Sequence, residues 1–340
     1  MIAIIADDLS GAAELAGIAA ARGWRAEVQT RFDPSSEAEV IAIDTNTRLK
    51  SETEAARIVG GVARAVAAAR PSWIFKKTDS VLRGHIRAEI AAVLAATGLR
   101  DCVFIPANPS KSRVIRGGRY FIAGVPLDET AFARDPWHPR RSSVVREWFG
   151  EAPAIHTPDA EKPGDLDLEL RPETLAAGAA DFFAARLTRS DPSRATERVR
   201  RFAAPKTLVV CGSLAALEAG RASELSRRGF VIRTIADAEG GQIWGKTDKL
   251  LLVPGAAASS EGAPLTEALA AAALPLVDGR ADLRIGLEGG ATALAFIARH
   301  GWTRFAVAPE GFTGVGSLRP PGGPLLCVKP GSYPWPGEMF

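Results

Sequence analysis

The chain has 340 residues, of which 46% are hydrophobic and 24% charged. At roughly 100–200 residues per domain this is about two domains with a large core, which excludes a disordered chain and a small disulfide-stapled fold. Lysine plus arginine is 42 against 39 acidic residues, a formal net charge of +3. A nucleic-acid binder more often carries a concentrated basic stripe. Here the basic residues are dispersed, and the small group Arg198, Arg200 and Arg201 reads as a solvated helix face. Cys102, Cys211 and Cys327 lie far apart in apolar runs, with no C-x-x-C spacing. That argues against structural zinc and for buried thiols in a reducing cytoplasm. The first eight residues have no basic n-region and too short an apolar run for a signal peptide, and no stretch of about 20 apolar residues suggests a membrane span.

In chain order, residues 2–6 read as a buried strand and 11–22 as a helix. A strand at 40–43, a helix at 52–70, a strand at 72–76, a helix at 85–97 and a strand at 102–105 follow. Apolar strands alternating with helices imply parallel βαβ units in an α/β fold whose sheet is covered on both faces. Residues 106–162 are rich in Pro, Gly and Arg and read as a long functional loop region, and a helix is expected at 172–187. The alternation restarts with a strand at 207–210, a helix at 215–228 and strands at 231–235 and 250–253. A helix at 265–272, a strand at 283–287, a helix at 292–300 and strands at 305–308 and 325–328 complete the pattern. Two α/β/α domains are expected, residues 1–190 and 205–340, with the break where Asp191-Pro192-Ser193 and Ala204-Pro205 interrupt the periodicity.

Two glycine-rich matches fail on context. Gly240-Gly241-Gln242-Ile243-Trp244-Gly245-Lys246-Thr247 fits a phosphate-binding loop, but that loop needs a helix directly after it. Leu250 to Val253 reads as a strand, which leaves no room for one. Gly314-Val315-Gly316-Ser317-Leu318-Arg319 has arginine where a dinucleotide turn needs a third small residue.

The chemistry-bearing residues gather at strand ends. Asp7-Asp8-Leu9-Ser10-Gly11 follows the first strand; Asp8 or Ser10 could simply cap the helix, yet adjacent carboxylates at a strand end also suit substrate hydroxyls or a base. Lys76-Lys77-Thr78-Asp79 through Arg83 suits an anionic ligand, with Arg83 able to grip a carboxylate in two-pronged fashion. Asp44-Thr45-Asn46-Thr47-Arg48 and Pro106-Ala107-Asn108 end two further strands. Polar segments at the ends of successive strands converge on one crevice. Asp7, Asp8 and Asp79 are therefore candidate catalytic carboxylates, and Ser10, Gly11, Lys77, Arg83 and Asn108 candidate substrate contacts. In the second half, Ser213 ends a strand, and Gly289-Gly290-Ala291-Thr292 joins a strand to a helix start. Bare amides and a hydroxyl there suit phosphate oxygens.

Several of these motifs, together with Gly124-Val125-Pro126-Leu127-Asp128-Glu129-Thr130 and Phe132-Ala133-Arg134-Asp135-Pro136, resemble the four-carbon acid sugar kinase family. Gly289-Gly290-Ala291-Thr292-Ala293 and Lys329-Pro330-Gly331 match its nucleotide-domain motifs more loosely. The resemblance implies an ATP-dependent kinase for threonate- or erythronate-like acids, with the acid in the N-terminal domain and ATP in the C-terminal one. It places nucleotide contacts at Ser213, Gly289, Gly290, Ala291, Thr292 and Gly331. Phosphoryl transfer of this kind needs charge neutralisation, usually by Mg2+, for which no ligand residue is singled out. The expected partners are a small sugar acid and ATP, with no nucleic acid or membrane and with room for a homo-oligomer. Three positions depart from the family pattern. Ser10 replaces a threonine, Glu14 stands near a common aspartate, and Ala291 replaces a carboxylate for which Glu288 is a candidate substitute. The Ala291 departure motivates the alternative of a non-catalytic sugar-acid-binding protein derived from the family.

Overall fold

The computed structural model describes residues 1–135, 138–150, 152, 154–194, 206–238, 244, 246–255, 263–277, 279–308, 314–329 and 334–340. The chain forms two compact units, Met1–Glu197 and Arg198–Phe340. The break expected between residues 190 and 205, the arginines at 198, 200 and 201, and Pro136 of the family-like motif lie wholly or partly outside the described residues.

In the first unit β1 (Ile2–Ala6), β2 (Ala26–Gln29), β3 (Val40–Asp44), β4 (Trp73–Lys77) and β5 (Asp101–Ile105) alternate with α1 (Leu9–Ala20), α2 (Glu52–Ala68) and α3 (Ile86–Thr97). Every residue of β1 and β3 is buried, as suits strands covered on both faces. The helix ends follow local chemistry. The Ser51 side chain caps α2 by accepting from the Glu54 N–H, and Gly98 ends α3 in the left-handed conformation at φ 74°. Helix α1 packs with α4 (Ala180–Ser190), and α2 with α3. The two pairs cover opposite faces, as right-handed crossovers running in opposite directions require.

Segment 106–162 is more ordered than a loop. It holds a small antiparallel sheet of β6 (Arg113–Arg116), β7 (Arg119–Ile122) and β8 (Val125–Pro126), and the short β9 (Ile155–His156) beside β5. The helix expected at 172–187 is corrected. Its first residues form β10 (Thr174–Gly178), inserted between β4 and β5, and α4 begins only at Ala180. Gly178 is there for close approach. A Cβ on Gly178, at φ +147°, would lie 2.0 Å from the Ile105 carbonyl oxygen. The sheet order is β2-β3-β1-β4-β10-β5-β9, parallel throughout.

The second unit contains β11 (Lys206–Cys211), α5 (Leu214–Glu218), α6 (Arg221–Arg227), β12 (Val231–Thr234), α7 (Ile235–Ala238), β13 (Lys249–Val253), α8 (Ala263–Val277), β14 (Leu283–Glu288), α9 (Gly290–Arg299), β15 (Arg304–Val307), β16 (Gly316–Arg319) and β17 (Leu325–Lys329). The helix expected at 215–228 is two helices, interrupted at Gly220, which sits at φ 88°. The sheet order is β12-β13-β11-β14-β17-β16-β15, with the first five strands parallel and the last two joined antiparallel. β13 opens two residues after Thr247, so no helix follows the phosphate-loop match, of which Gly240 to Ile243 and Gly245 lie outside the described residues. Gly316 and the three residues after it form β16, not a dinucleotide turn. The fold is thus α/β with mostly parallel sheets, as the sequence indicates.

Each sheet reverses its winding once. The chain moves out from β1 to β2 and returns through β3, then crosses to β4 on the other side. β11, β12, β13 and β14 repeat that course. Ligands of open α/β sheets bind beyond the carboxyl ends of the strands at such a switch point. In these units that means the turns after β1 and β4, and those after β11 and β14.

Candidate functional site

At the first switch point Asp7 and Asp8 leave β1, and Lys77, Thr78 and Asp79 leave β4. Asp8 caps α1: its Oδ1 accepts from the Gly11 N–H at 2.9 Å, and its Oδ2 accepts from the Ser10 hydroxyl. Arg48 ties the carboxylates together. Its Nε donates to Asp7 Oδ2 at 2.7 Å, its Nη1 to Asp8 Oδ2 at 2.8 Å, and its Nη2 lies 3.8 Å from Asp79 Oδ1. Asp79 is clamped further by both prongs of Arg83, at 2.9 Å each, and by the Val81 and Arg83 backbone N–H groups.

These contacts give similar groups different acidities. Burial works to raise Asp79, but the Arg48 and Arg83 charges and hydrogen bonds overwhelm it and hold the carboxyl far below its ordinary range. Burial is likewise the largest influence on Asp8, yet Arg48, Lys77, Ser10 and the Gly11 amide together leave it lowered. Asp7 goes the other way. Burial, reinforced by Asp8 and Glu89, outweighs Arg48 and Lys76, and its carboxyl is raised. A low-lying carboxylate is a weak proton acceptor, so Asp7 is the member of the predicted trio best suited to a base role.

Gly11 is glycine for a reason of space. A Cβ there would meet Asp8 Oδ1 at 2.7 Å and the Lys77 side chain at 3.3 Å. Lys77 is buried, donates to the Thr78 carbonyl at 2.7 Å and lies 3.7 Å from Glu14. Glu14 also accepts from Lys111 at 2.7 Å, and despite burial the two lysines hold it below its ordinary value. Asn108 is drawn into the scaffold: its Oδ1 accepts from the Asp181 N–H at 2.9 Å in the first turn of α4. The Arg83 fork, expected on a substrate carboxylate, is spent on Asp79.

Three site groups were not singled out from sequence. Arg48 holds the cluster together. Asp44, the last residue of β3, is 4% exposed; its Oδ1 accepts from the Asn46 N–H at 2.8 Å while its Oδ2 has no partner. Burial, against that hydrogen bond but aided by Asp8 and Asp7, pushes Asp44 up to about 7. Thr78 is the third, with a buried, unpartnered hydroxyl. The polar run from Asp44 to Arg48 was the available signal, but no spacing rule says which of its side chains turn inward.

Asp44 Oδ2, Asp7 Oδ1 and Thr78 Oγ1 are thus buried oxygens without hydrogen bonds at the ends of three neighbouring strands, β3, β1 and β4. Leaving one such group unsatisfied costs about 1–3 kcal/mol, so three together make these strand ends a candidate site for a polar ligand. Among the described residues no three His, Cys, Asp or Glu side chains gather as a metal-ligating group.

In the second unit Ser213 and the run from Gly289 to Thr292 follow β11 and β14 at the second switch point, since Cys211 pairs with Glu288 in the sheet. Gly289 is at φ +104°, Gly290 opens the ten-residue α9, and Thr292 is buried. A Cβ on Gly212 would fall 2.1 Å from Thr292 Oγ1, so glycine at 212 makes room for that hydroxyl. Ser213 Oγ accepts from the Ala216 N–H at 3.3 Å. Gly331 lies outside the described residues. Glu288 does not stand in for the carboxylate absent at Ala291. It is fully buried, with Oε1 accepting from Arg221 at 2.9 Å and Lys329 at 2.6 Å, and Oε2 from the Trp335 indole at 3.0 Å.

The family model described as a sugar-binding N-terminal domain matches residues 2–215. The chain belongs to the four-carbon acid sugar kinase family. Among its relatives, a D-threonate kinase from Bordetella bronchiseptica is 33% identical over 185 residues, which is 52% of this chain and 44% of that protein. A D-erythronate kinase from Heliobacterium modesticaldum is 34% identical over 152 residues, 43% of this chain and 35% of that one. The matches therefore span less than half the length of these curated relatives. A solved structure from Salmonella typhimurium shares the fold, with a TM-score of 0.79 over 98% of this chain and 96% of that one at 17% identity. No helix among the described residues is long and apolar enough to cross a membrane.

Proposed function

We propose that this family member is an ATP-dependent kinase of four-carbon sugar acids, with the acid held by the first unit and the nucleotide by the second. The observation that carries the reading is the trio of buried, unpartnered oxygens of Asp44, Asp7 and Thr78 at the first switch point. Vicinal hydroxyl groups supply the hydrogen bonds these atoms lack. Asp7, Asp8, Ser10, Gly11 and Lys77 line the same strand ends, and Asp79 with Arg83 braces them. Asn108 contributes by seating α4. The threonate and erythronate kinases among the relatives support four-carbon acids as the ones to test first.

In the transfer step, a hydroxyl oxygen of the acid forms a bond to the γ-phosphorus of ATP as the bond to the β-phosphate oxygen breaks. ADP leaves with that electron pair, and the hydroxyl proton passes to Asp7 Oδ1. Gly289, Gly290 and Thr292, with Ser213, offer amides and hydroxyls suited to nucleotide phosphates, with Ala291 between Gly290 and Thr292; Gly331 is a further contact by resemblance to the family alone. Mg2+ is proposed to enter with the nucleotide, as it commonly keeps waters and phosphate oxygens as ligands. Three buried thiols suit a reducing cytoplasm.

Titration of the protein with D-threonate, D-erythronate and ATP–Mg2+ separates the readings. The kinase reading requires both an acid and the nucleotide to bind. Acid binding without nucleotide binding favours the non-catalytic alternative that Ala291 motivates. Binding of neither acid removes the sugar-acid reading.

A further inference from the structure

The site as described lacks an available cation for the carboxylate of a sugar acid. Arg48 is engaged by Asp7 and Asp8, the Arg83 fork by Asp79, Lys76 by Glu89 at 2.7 Å, and Lys77 and Lys111 by Glu14. Arg140 is different. Its guanidinium forms no ion pair among the described residues, and its Nε is buried without a hydrogen-bond partner. Its backbone is fixed, since the Arg140 N–H donates to the Phe132 carbonyl at 3.0 Å.

The segment that carries Arg140 is anchored beside the same crevice. Two residues earlier, the His138 ring places Nε2 at 2.9 Å from the Arg48 carbonyl, and the Asp135 carboxylate accepts from the His138 N–H at 2.8 Å. Burial lowers the Arg140 pKa while the Asp79 and Asp135 charges oppose that shift. A half-buried guanidinium with unused donors is costly unless an anion completes it.

We infer that Arg140 is the specificity-determining residue that receives the carboxylate of the sugar acid. The inference rests on the sugar-acid reading above and adds the residue that separates an acid from a neutral polyol. The planar fork suits two carboxylate oxygens, and its unused N–H donors supply charge-assisted hydrogen bonds.

The experiment is calorimetric titration of wild type, Arg140→Gln and Arg140→Lys with D-threonate, D-erythronate, the matching polyol threitol and ATP–Mg2+. Arg140→Gln is expected to weaken binding of the favoured acid by about tenfold or more, the scale of a lost charge-assisted pair. Threitol and nucleotide binding should stay within about twofold, and Arg140→Lys should fall between, keeping charge but losing the fork. Unchanged acid affinity in Arg140→Gln overturns the inference and leaves the sugar-acid reading standing. So does an equal loss for acid and polyol, or a loss confined to the nucleotide, which would mark a phosphate contact. A wild-type protein that binds neither acid overturns both. Melting curves verify folding, and Arg140→Lys carries the same comparison should Arg140→Gln fail to fold.

Discussion

Asp7, Asp8 and Asp79 share one crevice, yet their surroundings give them different partners and acidities. Asp79 spends both oxygens on Arg83 and on backbone amides, and Asp8 on Ser10, Gly11 and Arg48. Asp7 alone of the three keeps a free oxygen. Asp7→Asn removes the proton acceptor with little change of shape, so kcat should fall on the order of 10²-fold with the melting temperature nearly kept. Normal turnover in that variant moves the base elsewhere. Asp44 gives a pH dependence. Its folded value, about 7, lies above the ordinary 3.8, so the folded state binds the proton more tightly than the unfolded chain. The associated stability is full below about pH 4 and is lost as pH rises through 7. Asp44→Asn keeps the acceptor for Asn46 and never ionises. It should match wild type near pH 4 and exceed it by on the order of 3 kcal/mol at pH 8, measured by urea unfolding. Equal differences at both values would mean that Asp44 is not a buried, protonated group at neutral pH. At this scale the sequence supplied the residues but not their pairings. Arg83 and Asp79 stand four apart in a turn, and nothing in that spacing says whether the fork closes on its neighbour or reaches for a ligand.

At the scale of elements, strands and helices with clear periodicity were legible to within a residue or two. β1, β4 and α2 are examples, because continuous burial or a 3.6-residue stripe leaves a direct trace in the chain. β10 was hidden for a physical reason. Leu175, Ala176 and Ala177 are buried in a strand between β4 and β5, where Gly178 packs against the Ile105 backbone, and alanine there resembles a helix former. Gly178→Ala should therefore destabilise the first unit by at least about 2 kcal/mol, because its Cβ would meet the Ile105 carbonyl. Gly98→Ala is the control: it shares a positive φ but has no atom within 4 Å, so about 1 kcal/mol is expected from backbone strain alone. Similar losses in the two variants, by urea unfolding, would contradict the close-approach argument. Gly212→Ala tests the second switch point. The new methyl must displace Thr292, so ATP affinity should drop about tenfold or more while threonate affinity holds. An unchanged nucleotide affinity would separate Thr292 from the nucleotide.

For the whole molecule, the two units repeat one course, β2-β3-β1-β4 and β12-β13-β11-β14, and each presents its candidate residues where the winding reverses. That arrangement was readable only in part. Alternating strands and helices give the class, whereas the switch points depend on which strands become neighbours. The phosphate-loop match shows the same logic in reverse. β13 follows it directly, so Lys246→Ala should leave ATP affinity within about threefold, and a hundredfold loss would relocate the nucleotide site. Under the proposed function the chain transfers a phosphoryl group from ATP to a four-carbon sugar acid. The most direct test is ADP release from ATP–Mg2+ across a panel of C4 acids, with the phosphorylated acid identified by mass. The proposed transfer requires ADP and a singly phosphorylated acid in equal amounts for at least one threonate or erythronate isomer, and neither without the acid. Binding of both ligands with no phosphorylated product for any acid of the panel would contradict it.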